Sequence, residues 1–310
     1  MTSSGRTLID MSMSVIEESG APVLMLHRAS SIDALRAGFE GPVRLGHELA
    51  DVLRVRDRVR ATFTNGSTAE GDVLIGADGW RSAVRAQTFP GARARYVGYS
   101  GLRAVVACPA SVTPTSESWG RGARFGLIPL IDGRLYWFAV WNAPEGEVLS
   151  PDERRARALH TFRGWHAPTE DVIRATEPTA ILHDYVRELV DLPAWIHGRI
   201  ALLGDAAHAM TPNPGQGGCY AIEDAYVLTR CLSETQPVED ALDRYVSLRR
   251  PRVTNITRDS HAFGFFGQLE NAFAQRVRDA RAVATKGRYG RDVVLRYART
   301  RPDQLLRVTE

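Results

Sequence analysis

Lysine is almost absent from this chain of 310 residues: Lys286 is the only one, and arginine supplies the rest of the 39 basic side chains. Forked guanidinium donors suit anion recognition, but codon bias accounts for the preference more simply. The formal net charge is +3, and basic residues are interleaved with acidic ones, so no stripe of nucleic-acid-binding character forms. The denser patches, 154–157 and 249–252, read as solvated helix faces. Cysteine is scarce too. Cys108, Cys219 and Cys231 are odd in number and widely spaced, which excludes a disulfide framework and a zinc-ligand pattern. The eight histidines form no His-x-x-x-His pair, so no protein-bound metal is expected. No apolar run approaches the roughly 18 residues that span a bilayer, and residues 1–10 lack the basic start and apolar stretch of a signal peptide. The reading is a cytoplasmic protein without nucleic-acid or membrane partners.

What is present has the 44% hydrophobic content of a globular chain, with no repeat or low-complexity tract. Residues 52–79 carry a β pattern in which Val59, Ala61 and Phe63 alternate into Asn65-Gly66, a favoured hairpin turn. The run Val73-Leu74-Ile75 then reads as a buried strand. Strands are predicted over 95–107 and 126–141, with Asp132-Gly133 as a further turn. Ser150-Pro151-Asp152-Glu153 is a helix start with Ser at the cap and Pro first. Later come a strand at 199–203, a helix at 217–232, and a helical stretch at 238–263 with a stop or kink near Pro251. A charged tail after Arg276 closes the chain as helix. Strand and helix material from both ends brackets the sheet-rich middle, so an α/β domain with an inserted β layer is expected.

Two strings carry chemistry. In the first, Val73-Leu74-Ile75-Gly76-Ala77-Asp78-Gly79-Trp80-Arg81-Ser82-Ala83-Val84-Arg85, an apolar strand leads into a helix whose free amides can receive phosphate oxygens. Asp78 in an isolated Asp-Gly reads more readily as a helix cap, but the full string is far more specific than that pair. In the second, residues 199–219, Leu203-Gly204-Asp205-Ala206-Ala207-His208 ends a strand with an acid placed to accept hydrogen bonds from sugar or ribityl hydroxyls. Pro214-Gly215-Gln216-Gly217-Gly218 then lets backbone approach a flat ring, with a helix N-terminus behind it.

These strings resemble the DG and GD fingerprints of the class A flavoprotein monooxygenases, the para-hydroxybenzoate hydroxylase family. The resemblance implies an α/β, glutathione-reductase-like FAD-binding fold with an inserted antiparallel β-sheet substrate domain. On that basis 1–94 and 196–270 are two parts of the FAD-binding domain, 95–195 is the substrate domain, and 271–310 is a helical tail. It also implies FAD as cofactor, NAD(P)H as electron donor, and transfer of one oxygen atom from O2 to a small organic substrate, with hydroxylation of a phenolic ring as the default and ring-expanding oxygen insertion and epoxidation as the alternatives. Asp205 inherits the ribityl contact. Pro214, Gly215, Gly217 and Gly218 inherit the border of the flavin ring, and Asp78 the pyrophosphate and nicotinamide region. His27-Arg28-Ala29-Ser30-Ser31-Ile32 resembles the family's arginine-led helix start, so Arg28 inherits an FAD contact, although a surface arginine reads the same in isolation. No side chain is assigned a catalytic role. His208 is structural or cofactor-adjacent, and Cys219 a packing residue. The aromatic run 136–138 with Trp141 is either core or, as the family implies, in part a pocket wall.

No Gly-x-Gly-x-x-Gly turn occurs anywhere in the chain, whereas the family opens with one. The N-terminally incomplete reading therefore has three explanations: a start assigned inside a longer gene at Met1, Met11 or Met13, a gene truncated out of use, or a short protein completed by a partner. The alternatives to a monooxygenase are a non-enzymatic remnant of the fold, or a flavin-dependent reductase or halogenase. The halogenase is weakened because Trp-x-Trp-x-Ile-Pro is absent.

Overall fold

The structure, a computed structural model, describes residues 1–10, 23–109, 112, 115–190, 192–299 and 302–306. Met11 and Met13 lie outside the described residues. The chain divides into two compact units, one from 1–40, 98–186 and 264–299, the other from 41–97, 187–263 and 300–310.

The first unit is built on a five-stranded sheet of β5 (Arg93–Ala107), β6 (Ser116–Trp119), β7 (Ala123–Pro129), β8 (Arg134–Asn142) and β9 (Leu182–Val190), ordered β6-β7-β8-β5-β9. Strands β6, β7, β8 and β5 pair antiparallel. Gly133, with φ at +81°, makes the turn between β7 and β8, and Asp132 Oδ1 accepts from the Arg134 amide at 3.1 Å. Period-two alternation splits the sheet into two faces. Leu102, Ala104, Leu135, Trp137 and Ala139 are buried under helices α3 (Pro151–Thr161) and α4 (Thr169–Arg174), against Ala158, Phe162 and Ile173. Trp137 stacks on Phe125 at 5.6 Å and donates its indole N–H to Thr176 Oγ1 at 3.0 Å. Fully burying an aromatic of this kind is worth roughly 1.5–3 kcal/mol. Helix α3 begins as predicted: Ser150 and Glu153 form a reciprocal capping box, with Pro151 next. The unit also holds α1 (Arg28–Ala37), which buries none of its residues.

In the second unit β1 (Leu49–Val55), β2 (Arg58–Phe63) and β3 (Thr68–Gly71) form an antiparallel meander, turned at Gly66 with φ at +82°. Strand β4 (Leu74–Gly76) pairs in parallel with β11 (Ile200–Leu202), which pairs antiparallel with β10 (Ile196–His197). The expected buried strand at 73–75 is only half-buried, because β4 is the outer strand of this three-stranded sheet. Helices α2 (Ala83–Thr88), α5 (Asp205–His208), α6 (Gly217–Glu234) and α7 (Val238–Gly267) follow their strands. The expected stop near Pro251 is absent, and α7 runs through it. Proline inside a helix costs about 3 kcal/mol, but Leu242 and Tyr245 before it and Val253 and Ile256 after it are all buried, and that packing offsets the cost on both sides. The tail forms α8 (Ala272–Ala284), α9 (Arg288–Arg299) and α10 (Pro302–Leu306).

Candidate functional site

The parallel pairing of β4 with β11 sets Leu202 beside Gly76, so the two motifs leave the sheet side by side. Asp78 and Asp205 thus lie beyond the carboxyl ends of adjacent parallel strands, the position in which such sheets bind ligands. The buried guanidinium of Arg85 links the two turns directly: Nη1 donates to the Ala206 carbonyl at 2.9 Å and Nη2 to the Trp80 carbonyl at 2.5 Å. Burial lowers its pKa, against the opposing pull of the Asp78 charge.

The two acids differ in their surroundings. Asp78 is exposed, and its Oδ2 accepts from the Val84 amide at 3.1 Å, so it caps α2 together with Ser82 Oγ, which accepts from the Arg85 amide at 2.9 Å. Asp205, first residue of α5, is exposed and its carboxylate has no hydrogen-bond or ion-pair partner among the described residues. It follows Gly204, whose φ of +58° and ψ of −139° suit glycine, and where an added Cβ would stand 3.0 Å from Ala221 Cβ.

Behind the turn lies a buried polar network. Asp224, on α6, accepts at Oδ2 from the Gly204 amide at 3.1 Å and pairs with His208 Nε2 at 2.5 Å. Its Oδ1 accepts from Arg249 Nε at 2.7 Å. Arg249 also donates from Nη1 to Glu223 at 2.6 Å, and Arg252 binds the same carboxylate. Burial alone would raise the Asp224 carboxyl, but His208 and Arg249 outweigh it and hold it below the ordinary carboxylate range. The patch at 249–252 is therefore not a solvated face: Arg249 is 0% exposed and belongs to the core.

The glycine segment follows. Thr211 and Asn213 are tied to Ser260 of α7, with Asn213 Nδ2 donating to the Ser260 carbonyl at 2.7 Å. Pro214 is half-buried and Gly215 exposed, with φ at +67°. Gly217 and Gly218 open α6, whose first turn has neither a side-chain cap nor an acidic residue. A Cβ at Gly215, Gly217 or Gly218 would meet nothing within 4 Å. Cys219, just beyond, is not an activated thiol, because desolvation and the neighbouring Glu223 charge raise its pKa. His208 is buried, in keeping with a structural place.

Asp78, Asp205, Pro214, Gly215, Gly217 and Gly218 thus all belong to the second unit. Arg28 is the first residue of α1 in the other unit, exposed and without a partner among the described residues. The reading of the residues missed Arg85, Asp224 and Arg249. A signal existed for Asp224: Tyr220, Asp224, Val227, Leu228 and Cys231 recur at helical spacing and are all buried, so an acid stands on an apolar stripe. Nothing local marks Arg249 as its partner, 25 residues on.

A parallel strand pair with an acid beyond its end, followed by a glycine-opened helix, is the ligand-binding arrangement of an α/β protein. The FAD binding domain family model matches residues 8–260. The chain belongs to the FAD-dependent monooxygenase family, with FAD as cofactor. It is 44% identical over 266 residues to the aurachin C monooxygenase/isomerase of Stigmatella aurantiaca, covering 84% of this chain and 69% of that one. It is 32% identical over 289 residues to the FAD-dependent urate hydroxylase of Klebsiella pneumoniae, covering 89% and 75%. Among solved structures, Klebsiella pneumoniae HpxO complexed with FAD and uric acid is similar with a TM-score of 0.86 at 28% identity, over 97% of this chain and 77% of that one. No helix among the described residues is long and apolar enough to cross a membrane.

Proposed function

We propose that this chain holds FAD through Asp205, the segment of Pro214, Gly215, Gly217 and Gly218, Asp78 and Arg28, and inserts one oxygen atom from O2 into a small aromatic substrate at the expense of NAD(P)H. The observation that carries the reading is the exposed carboxylate of Asp205, unpaired among the described residues, followed in the chain by Gly217 and Gly218, for which the fold has no use. Only Gly215 has a backbone reason, its positive φ. At Gly217 and Gly218 the backbone is ordinary and the space open, so a ligand surface approaching the α6 amides is the remaining demand. The uncapped α6 N-terminus favours negative charge on a flavin seated there. When bound, FAD supplies the electron acceptance and oxygen activation that side chains lack, and the residues of the chain orient it and shape what approaches.

For the electron donor, an exposed indole stands next to Asp78. Trp80 has the guanidinium of Arg81 4.5 Å from its ring centroid and that of Arg187 at 5.4 Å. A flat base stacked there, with phosphates on the arginines, matches the chemistry of a nicotinamide dinucleotide. For the substrate, the sheet face opposite the helices of the first unit carries half-buried Tyr136 and Phe138 with Arg103 ion-paired to Asp184. That aromatic face with one charge pair suits a planar, polar ring.

The test is titration of the flavin-free full chain with FAD, followed by fluorescence. Asp205→Ala is expected to weaken binding by about a hundredfold, the size of lost hydrogen bonds to a charged acceptor. Stoichiometric FAD in that variant overturns the assignment. Label from 18O2 appearing in a phenol or in urate supplied with NADH or NADPH tests the reaction.

A further inference from the structure

Asp224 touches nothing that reacts, yet it governs the residue placed on the flavin. We infer that Asp224 is a positioning residue that sets Asp205 for its ligand by gripping the peptide ahead of it; the inference rests on the proposed FAD reading. The Gly204 amide belongs to the peptide joining Leu203 to Gly204, and the Cα of Gly204 leads directly into Asp205. Asp224 Oδ2 takes that amide at 3.1 Å, and Gly204 has a backbone conformation open to little but glycine. A residue so free needs an outside contact to hold it in one orientation. The same oxygen holds His208 at the far end of the four-residue helix α5 that Asp205 begins. Asp205 is therefore fixed from both sides by one carboxylate.

That carboxylate is itself immobilised. Arg249 Nε donates to Oδ1 at 2.7 Å, and both side chains are fully buried. Glu223 holds Arg249 from its other arm, with Arg252 on the outer side. The arrangement is a chain of charge running from the core helix α7 through α6 to the turn, in a region where rotation of any member would strand a buried charge. By contrast, Asp205 has no partner of its own among the described residues to hold its carboxylate in place. The division of labour follows: Asp205 is left free to receive hydroxyls, and Asp224 carries the orientation.

The experiment is a double-mutant cycle on FAD affinity in the full chain, using Asp205→Ala, Asp224→Asn and both together. Asp224→Asn is expected to weaken FAD about tenfold or more, and the double variant to bind as weakly as Asp205→Ala alone, because the two act as one unit. Losses that multiply, or an Asp224→Asn variant with unchanged affinity, overturn the inference while leaving the flavin assignment intact. Unchanged affinity in Asp205→Ala overturns the flavin assignment instead. If Asp224→Asn does not fold, His208→Gln, which keeps a donor towards Asp224, enters the same cycle. It should show a smaller loss that again vanishes in the Asp205→Ala background, and a loss that persists there refutes the positioning role.

Discussion

Gly76 and Leu202 face each other across the parallel strands, and a Cβ placed on Gly76 would lie 2.9 Å from Leu202 Cδ2 and equally close to Val84. The glycine is what lets β4, β11 and α2 close on one another just before both motif turns. Gly76→Ala must push either the neighbouring strand or the helix outwards. Overpacking of this kind costs about 1–3 kcal/mol, so the chemical-denaturation midpoint is expected to fall. FAD affinity should fall with it, since Asp78 and Asp205 leave from these strands. A variant as stable as the parent would show that the sheet has slack there.

Asp78 caps α2, and substitution can separate that from the cofactor role proposed for it. As a cap it accepts from the Val84 amide, and Asn serves that purpose as well as Asp. Asp78→Asn should therefore leave stability within about 0.5 kcal/mol of the parent, whereas Asp78→Ala should lose about 1 kcal/mol. If the carboxylate also serves the cofactors, both variants should weaken FAD or raise the KM for NAD(P)H. Normal cofactor behaviour in Asp78→Asn would reduce Asp78 to a cap.

These pairings mark the limit of what the amino-acid order reveals. Asn65-Gly66, Asp132-Gly133 and the Ser150 to Glu153 box are legible because each is a local device, complete within four residues. Asp205 and the glycines after it stand out as strings only through the family resemblance they carry, and their role remains the one proposed above. Asp224 with Arg249 is not legible, because the pair is made only when α7 packs on α6. At Pro251 local chemistry allows a stop or a kink, and burial on either side carries the helix through without a stop. The sheet faces needed the fold as well, since alternation separates Trp137 from Tyr136 and Phe138 without saying which side the helices cover.

Acid should reach the buried network only below the ordinary carboxylate range. Asp224 has its folded-state pKa depressed by His208 and Arg249 against the effect of burial. A depressed carboxyl contributes stability that is present above its unfolded value of about 3.9 and lost as pH falls through the folded one. Thermal midpoints of the parent and Asp224→Asn, compared at steps from about pH 6 to about pH 2, should differ by a steady amount above about pH 4 and converge only below it. A gap that stays constant with pH would mean that the charge of Asp224 contributes nothing.

Phe138 lies over the backbone of Gly126, where a Cβ would come within 2.0 Å of ring atom Cε1. Gly126→Ala should tip that ring from its place on the open face of the sheet and cost about 1–3 kcal/mol. Asp78, Asp205 and the 214–218 segment proposed for the flavin are in the other unit, so FAD affinity should hold while KM for an accepted aromatic substrate changes. An unchanged KM alongside a shifted ring would remove Phe138 from the substrate face.

Gly217 and Gly218 give the sharpest contrast between folding and function. Both stand in the first turn of α6 with ordinary backbone and with open space where a side chain would go. Alanine there restricts the unfolded chain and favours the helix, so each substitution should stabilise the protein by about 0.4–1 kcal/mol. A methyl group in that space would also stand between the α6 amides and an approaching ring, so FAD should bind more weakly. Stability gained and flavin lost in the same variant is an outcome that packing alone does not produce. Measured by denaturant midpoint and flavin titration on one preparation, a gain in stability with full FAD affinity would move the ring border away from these residues.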